Sequence, residues 1–413
     1  MQTQKVESMK SIWIKNHSIK NFFLLGIIFV FAFYPAYFDK VPLLSKYDIL
    51  INLLIICGIF FYYLSYRRIP KSFLIVILYT IAQFGSTVWN HVDIKTSLWG
   101  KGILLIAMCG GIQWGYYYNE KLFLKTIYSV FYILLAVNLA TLFLYPNGMY
   151  VNDMGLQEYN FFLGNYNVFV IYFFMSALSG YLYVKKYKGR ITGDYIFLWL
   201  IILITFYKKR SATSMVGVLL LLIYGVLFNR KGTRLLFNIK TYSVFNLFFF
   251  FFIVWNSADN WIVKGITGLL NRNMTFSGRT VIWDKIKPLV KQKWLLGNGL
   301  ETEEVILEKL KPVQAVHAHN LYLDILYKNG LIGFILIAIL FFLLTVYKKK
   351  LKDQHVRYFL EAFLGIFMLM CQFEAYSIKF VFFMLIFLSM YAYENQEINT
   401  GQVLQNEDKA HII

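Results

Sequence analysis

The chain is organised as a series of long apolar runs, and that periodic alternation of apolar and polar stretches constrains its fold more than any other feature. The runs lie at about 21–38, 48–65, 71–88, 101–118, 122–145, 161–183, 194–207, 212–228, 242–256, 330–347, 356–373 and 377–393. A helix needs roughly 20 apolar residues to cross a hydrocarbon layer. The twelve runs therefore predict an all-α polytopic integral membrane protein with about 12 transmembrane helices. Composition agrees: of 413 residues, 58% are hydrophobic and 15% charged, with a mean hydropathy of +0.55. That excludes an ordinary soluble enzyme. Cys57, Cys109 and Cys371 all fall inside apolar runs, so neither a disulfide framework nor a thiolate metal cluster is expected. The N-terminal segment is polar and basic, and the run behind it is long enough to serve as an uncleaved anchor.

Lys plus Arg number 41 against 22 Asp plus Glu, a net charge of +19. In a membrane protein this excess reports topology before it reports nucleic acid, and no nucleic-acid partner is expected. With Lys5, Lys10, Lys15 and Lys20 in the cytoplasm, every second connection is basic. The connections carry Arg67, Arg68 and Lys71; Lys121 and Lys125; Lys185, Lys186, Lys188 and Arg190; Arg230, Lys231, Arg234 and Lys240; and Lys348, Lys349, Lys350, Lys352 and Arg357. The intervening segment 146–160 has no Lys or Arg at all. The expected layout is a cytoplasmic N-terminus over 1–20, transmembrane helices one to nine over 21–256 and one large extracytoplasmic loop with amphipathic helices over 257–329. Helices ten to twelve follow over 330–393, and a cytoplasmic tail over 394–413. The protein is expected to be multi-pass in the cell (plasma or inner) membrane, among membrane lipids, with both termini cytoplasmic.

Two outer segments break the charge rule: Lys208, Lys209 and Arg210 in a short connection, and the cations of the large loop, Lys264, Arg272, Arg279, Lys285, Lys287, Lys291 and Lys293. For any one lysine, snorkelling to headgroups is the ordinary explanation. Together the clusters point to a membrane-bound anion such as a lipid diphosphate, since arginine offers paired donors to phosphate oxygens and stays charged. Arg210 precedes Ser211, Thr213 and Ser214, hydroxyls suited to capping a helix start. Arg279 opens a run with Ile282, Ile286, Leu289 and Val290 at helical spacing and Trp283 and Trp294 as amphipathic tips; it reads as a surface helix. The glycines of Leu296-Gly297-Asn298-Gly299 then permit a turn. His319, in His317-Ala318-His319-Asn320, is a candidate general base, because a neutral imidazole accepts a hydroxyl proton near neutral pH. A metal role for His317 with His319 is disfavoured: two residues apart on a helix they point to different sides, and no third ligand accompanies them. No Asp-x-Asp site for a metal-nucleotide complex stands out.

Ser277-Gly278-Arg279 with Trp283, then Leu296-Gly297-Asn298-Gly299, Ala318-His319-Asn320-Leu321-Tyr322 and Gly330-Leu331-Ile332-Gly333 together resemble the signature of the O-antigen ligase and Wzy-type polysaccharide polymerase superfamily. The resemblance covers about 277–333. Arg210 is similar to the family's arginine at a span start, although Lys209 stands where a serine is usual. The resemblance implies a GT-C-related membrane glycosyltransferase that uses a polyprenyl-diphosphate-linked oligosaccharide as donor, here undecaprenyl diphosphate, with no metal and no cofactor.

The two readings give one expected mechanism. His319 deprotonates an acceptor hydroxyl, which attacks the donor's anomeric carbon with inversion, while Arg210 and Arg279 hold the departing diphosphate. Because diphosphate leaves readily, no general acid is required. His317, Asn320, Tyr322, Trp283 and the outer residues Asn165 and Asn167 beside Gly164 are candidate sugar contacts. Abundant Lys, Ile and Asn, with 40 Phe and 31 Tyr, fit an AT-rich genome and favour a capsule or exopolysaccharide repeat-unit polymerase. The alternatives are ligation of the glycan to another acceptor and a lipid-linked oligosaccharide flippase. A chain-length regulator and a flippase are candidate partners.

Overall fold

The computed structural model describes residues 69–93, 102–151, 159–209, 211–227, 237–256, 278–313, 315–351, 353–376 and 382–390, with short pieces between 26 and 58. Most of the expected spans at 21–38 and 48–65, the approach to Arg279 over 257–277, and the tail from 391 lie outside the described residues. Arg210, Lys264 and Arg272 lie outside them too. Among the described residues, structure is almost wholly helical apart from one two-stranded antiparallel hairpin, β1 (Tyr150–Val151) with β2 (Tyr159–Asn160).

The chain divides into two compact units, the first formed by 1–62 and 110–209, the second by 63–109 and 210–413. In the first, α2 (Ile103–Leu144, the bulk of which belongs here) is broken at Asn119, where the sequence had placed a boundary between two apolar runs. α3 (Phe169–Tyr187) and α4 (Gly193–Lys208) follow. α3 starts later than the run at 161, because the chain between 159 and 168 is spent on β2 and a turn. Lys209 Nζ donates to the carbonyl of Pro146 at 2.7 Å and lies over the Phe161 ring; Lys208 lies over the Phe143 ring. Those two cations are occupied within this unit, and the expected basic outer surface contracts accordingly.

The second unit holds α1 (Lys71–Trp89), α5 (Ala212–Leu227), α6 (Ile239–Phe249, continued by a π-helical turn to Trp255), α7 (Arg279–Gln292), α8 (Glu303–Leu310), α9 (Leu321–Tyr347) and α10 (Gln354–Met370). Several of these helices begin where side chains cap them: Asn238 accepts from Thr241 N–H, Asn320 from Leu323 N–H, and Asp353 from His355 and Val356 N–H. α1 shows the solvent for which the unit is built. Its inward face carries Gln83, Ser86 and Thr87 beside Phe73, Val76 and Tyr79, while Leu74, Leu78 and Ile81 are exposed. Leu219, Ile223 and Val226 of α5 and Ile339 and Phe342 of α9 are exposed as well. Polar groups turned inward and large apolar groups outward is the pattern of a helix bundle in lipid. α1, α9 and Asn119–Leu144 are also long and apolar enough to cross a membrane. The chain is a helical membrane protein.

α9 begins at Leu321 rather than near 330 and bends at Gly330 (φ 58°, ψ −160°). The bend interrupts the helical ladder, and a loop replaces the missing bonds. Asn298 N–H and Gly299 N–H donate to the Tyr327 and Lys328 carbonyls at 2.7 and 3.0 Å. Leu331 N–H donates in return to Trp294 O at 2.8 Å, and Ser86 Oγ of α1 also donates to Lys328 O. The two glycine motifs of the sequence are thus halves of one joint. A Cβ on Gly330 would lie 2.3 Å from Leu295 O, and one on Gly297 2.6 Å from Gly330 N. Gly330→Ala, in a backbone region open essentially to glycine alone, is expected to cost about 3 kcal/mol or more. A thermal melt in detergent checks this, and an unchanged midpoint would show that the joint relaxes without cost.

Candidate active site

α7 begins at Arg279 because Gly278, at φ 85°, turns the chain into it. Ile282, Ile286 and Val290 of the expected stripe are buried, while Leu289 is only partly so. Trp283 departs from expectation. It is fully buried, and its Nε1–H donates to Ala318 O at 3.0 Å, so it braces the histidine loop and is neither an amphipathic tip nor a sugar contact. Trp294 is 57% exposed and fits the tip role. Trp283→Phe removes the partner of a buried carbonyl and is expected to cost about 1–3 kcal/mol, measured by the same melt. An unchanged midpoint would mean that the loop does not depend on this brace.

The two histidines also depart from expectation. Residues 317–320 precede the helix, and His319 adopts φ 47°, so the rule for residues two apart on a helix does not apply. The rings lie on one side with centroids 4.0 Å apart, and His319 N–H donates to His317 Nδ1 at 3.2 Å. Both face a carboxylate that the sequence reading missed, Glu374, in the segment after α10. His319 Nδ1 lies 3.1 Å from its Oε1 and 3.2 Å from its Oε2; His317 Nε2 lies 3.8 Å from Oε1. Arg279 Nη2 lies 3.5 Å from Oε2. Arg279 and His319, the two leading candidates of the described residues, therefore meet on one acid.

Backbone and side chains pin this acid to the histidine loop. Leu321 N–H donates to Cys371 O at 2.8 Å, and Asn320 Nδ2 donates to Gln372 O and Oε1 at 2.9 and 3.0 Å. Gln372 Nε2 donates onward to Asn246 of α6. Asn320 is fully buried, capping α9 with its oxygen and binding Gln372 with its nitrogen; both ends are committed, which corrects its reading as a sugar contact. Tyr322 is corrected likewise: its buried hydroxyl donates to Asn246 Oδ1 and Met368 O. Asn165 and Asn167 belong to the first unit, where Asn165 Oδ1 accepts Asn167 N–H in a turn. The serines after Arg210 do sit at the start of α5, with Ser211 and Ser214 sharing a hydroxyl bond and Ser214 also bonding Tyr376, two residues past Glu374.

The electrostatics follow from these contacts. Burial works against a charged Glu374, but the hydrogen bond from His319 and the charges of His317, His319 and Arg279 outweigh it and hold its carboxyl down to about 2. It is an anion at any working pH. Burial and the neighbouring His319 depress His317 to about 4, against the pull of Glu374 and Asp324, so His317 is neutral. Its Nδ1 accepts a backbone N–H, which assigns its proton to Nε2; His319 correspondingly donates from Nδ1 to Glu374 and keeps a lone pair on Nε2. His317, His319 and Glu374 each place a ligand-type atom within 4.8 Å of the others. In this hydrogen bonding, though, neither ring turns a lone pair toward the carboxylate, and Arg279 already leans on it. The arrangement suits an imidazole oriented by an acid and fits a resident metal poorly. Arg279, His317 and His319 keep 19, 20 and 27% of their side-chain surface exposed, against 9% for Glu374, so the cation and the rings face the mouth and the acid lies behind them.

Other loop cations are already paired: Lys285 with Lys311 O, Lys287 with Asp284 and Trp255 O, Lys293 with Asn90, and Lys309 with Glu301. Among the described residues, Arg279 is the loop cation that the structure brings to the acid shared with the histidines. A helical membrane protein in which an arginine at the start of α7, two histidines just before α9 and a buried acid just after α10 meet is the class the fold and site define. Residues 196–338, about a third of the chain, match the family model for O-antigen ligase. The matched stretch takes in Arg210, Arg279, His317 and His319 and ends before Glu374. No curated protein matches the chain.

Proposed function

We propose that the protein is a Wzy-type repeat-unit polymerase that moves a glycan from undecaprenyl diphosphate onto a lipid-linked repeat unit at the outer face of the cell membrane. The observation that carries this reading is the convergence of Arg279 and His319 on Glu374, inside and beside the family-matched stretch. His319 Nε2 takes the proton of the acceptor hydroxyl, whose oxygen attacks the anomeric carbon. The bond from that carbon to the diphosphate oxygen breaks with its electron pair, and Arg279 binds the charge that develops there. No metal takes part, because base and cation are both supplied by side chains. Arg210 is proposed as a second diphosphate ligand; what supports it is the tie from Ser214 to Tyr376, which holds the start of α5 beside the segment bearing Glu374. His317 is proposed to line the acceptor side. The proposal includes about 12 spans of GT-C-related arrangement, both termini cytoplasmic, the large loop over 257–329 outside, and a flippase and a chain-length regulator as partners.

The test is a deletion host complemented with the intact gene, with lipid-linked and surface saccharides separated by size. Single repeat units on the lipid and loss of the polymer ladder, restored on complementation, support the polymerase. A ladder that forms on the lipid but is not passed to its final acceptor supports the ligase-type alternative, and repeat units stranded on the cytoplasmic face would replace both readings with a flippase.

A further inference from the structure

Glu374 touches both the base and the cation, and its contacts differ in kind. Three are short: His319 Nδ1 at 3.1 and 3.2 Å, and the N–H of Ala375 onto Oε1 at 3.1 Å. Two more are longer: Arg279 Nη2 at 3.5 Å and His317 Nε2 at 3.8 Å; the Arg279 side chain keeps 19% of its surface exposed against 9% for Glu374. An anion arriving at the mouth meets Arg279 before it meets Glu374, and an arginine pairs with diphosphate oxygens at least as well as with a carboxylate. It can therefore change partners while the bond from His319 to Glu374 stays intact. Resting on the reading of His319 as base and Arg279 as diphosphate cation, we propose that Glu374 is a positioning residue that fixes the tautomer of His319 and holds Arg279 until the donor diphosphate takes it over.

The exchange couples the two halves of the reaction. With Arg279 beside it, the carboxylate divides its charge between the guanidinium and the ring. Once the diphosphate engages Arg279, that charge serves the imidazole alone, and proton transfer from the acceptor hydroxyl to Nε2 produces an imidazolium whose Nδ1–H already points at an anion. The base is then strongest when a donor is present to be attacked. The other charged and titratable groups facing this cluster are His317 on the same loop, Asp324 and Lys328 of α9, themselves paired with each other, and Cys371 and Tyr376 on either side of Glu374, of which Tyr376 also feels the charge of Arg279; none of them makes a described hydrogen bond or ion pair with Arg279.

Purified full-length Glu374→Gln tests this with two readouts. The turnover number is expected to fall about 100- to 1,000-fold, whereas farnesyl diphosphate, a sugar-free lipid diphosphate, is expected to bind about two- to fivefold tighter by calorimetry because Arg279 has lost its competitor. In an Arg279→Gln background the gain in affinity should vanish, which closes the thermodynamic cycle. Glu374→Asp keeps the charge but falls one methylene short of the ring; it should lose turnover without the gain in affinity, and it serves also if the Gln variant does not fold. A merely structural role would lower affinity and turnover together, and that result, or turnover within threefold of wild type, overturns the proposal. The binding readout needs no transfer assay. If farnesyl diphosphate binds to wild type and tighter to Glu374→Gln but no polymerisation is ever found, the proposed function fails and the exchange stands.

Discussion

Replacing His319 with Asn is expected to lower glycosyl transfer by about 10²–10⁴-fold while the protein folds and reaches the membrane as wild type does. The choice of Asn follows from the backbone. His319 sits at φ 47°, a region that Asn enters more readily than Ala or any branched residue. The backbone N–H that donates to His317 Nδ1 and the cap that Asn320 places on α9 are untouched by the change. What is removed is the ring that links Glu374 to the mouth of the site. The size distribution of lipid-linked saccharides in a deletion host reads the effect, with membrane abundance as the control. A normal polymer ladder from a well-expressed His319→Asn protein would remove His319 from the chemistry, and Glu374 would then be an acid with nothing to orient.

Arg279→Ala is expected to reduce turnover by about 10²–10³-fold, the usual scale for deleting one donor to a developing oxyanion, and to raise the donor concentration needed for half-maximal rate. Arg279 stands at the first position of α7, so the aligned amides of that helix add partial positive charge at the same place. The fold should survive the change, because the buried stripe of α7 begins at Thr280 and Ile282 and the partner acid remains held by His319 and by Ala375 N–H. Arg279→Lys is expected to recover only part of the loss, since an ammonium lacks the planar pair of donors. Equal activity in the Lys variant would mean that charge alone is needed and that the diphosphate is not gripped through two oxygens.

Much of this architecture can be read from patterns that repeat along the chain. The runs at 71–88, 194–207, 212–228 and 356–373 become α1, α4, α5 and α10 with ends shifted by a few residues, because an apolar run bounded by Pro70, Gly193 or a capping Asp353 has little choice of where to start. Arg279 and His319 were legible for a different reason: each is a polar residue of special type in a segment that breaks a topological rule. Glu374 was not. It stands 55 residues beyond His319, in a short connection between two apolar runs, and no spacing links the two until the helices fold back. The one sign of it was a lone acid bordered by apolar residues, a type that rarely occurs there without a partner. Asn320, Tyr322 and Trp283 erred in the opposite direction. Motif residues with polar tips look like ligand contacts in a sequence, but these tips answer to buried backbone and side-chain groups whose need appears only in three dimensions. The histidine pair was misjudged because the helix was assumed to include it, whereas the cap at Asn320 starts the helix just beyond.

The bonds between residues 320–321 and 371–372 have a mechanical consequence. They rivet the first turn of α9 to the end of α10, while the bend of α9 at Gly330 lies farther along, on the other side of the rivet from His319. The bend at Gly330 is clamped as well, since the 294–299 loop bonds to residues 327 and 328 before it and to 331 after it. With the head of α9 held at two places, the separation of His319 and Glu374 is expected to stay constant as the lipid around the helices changes. Transfer measured in vesicles of graded acyl-chain length would accordingly hold a level rate until the fold itself gives way, and a protein of this build can serve membranes whose thickness varies with growth temperature without retuning its chemistry.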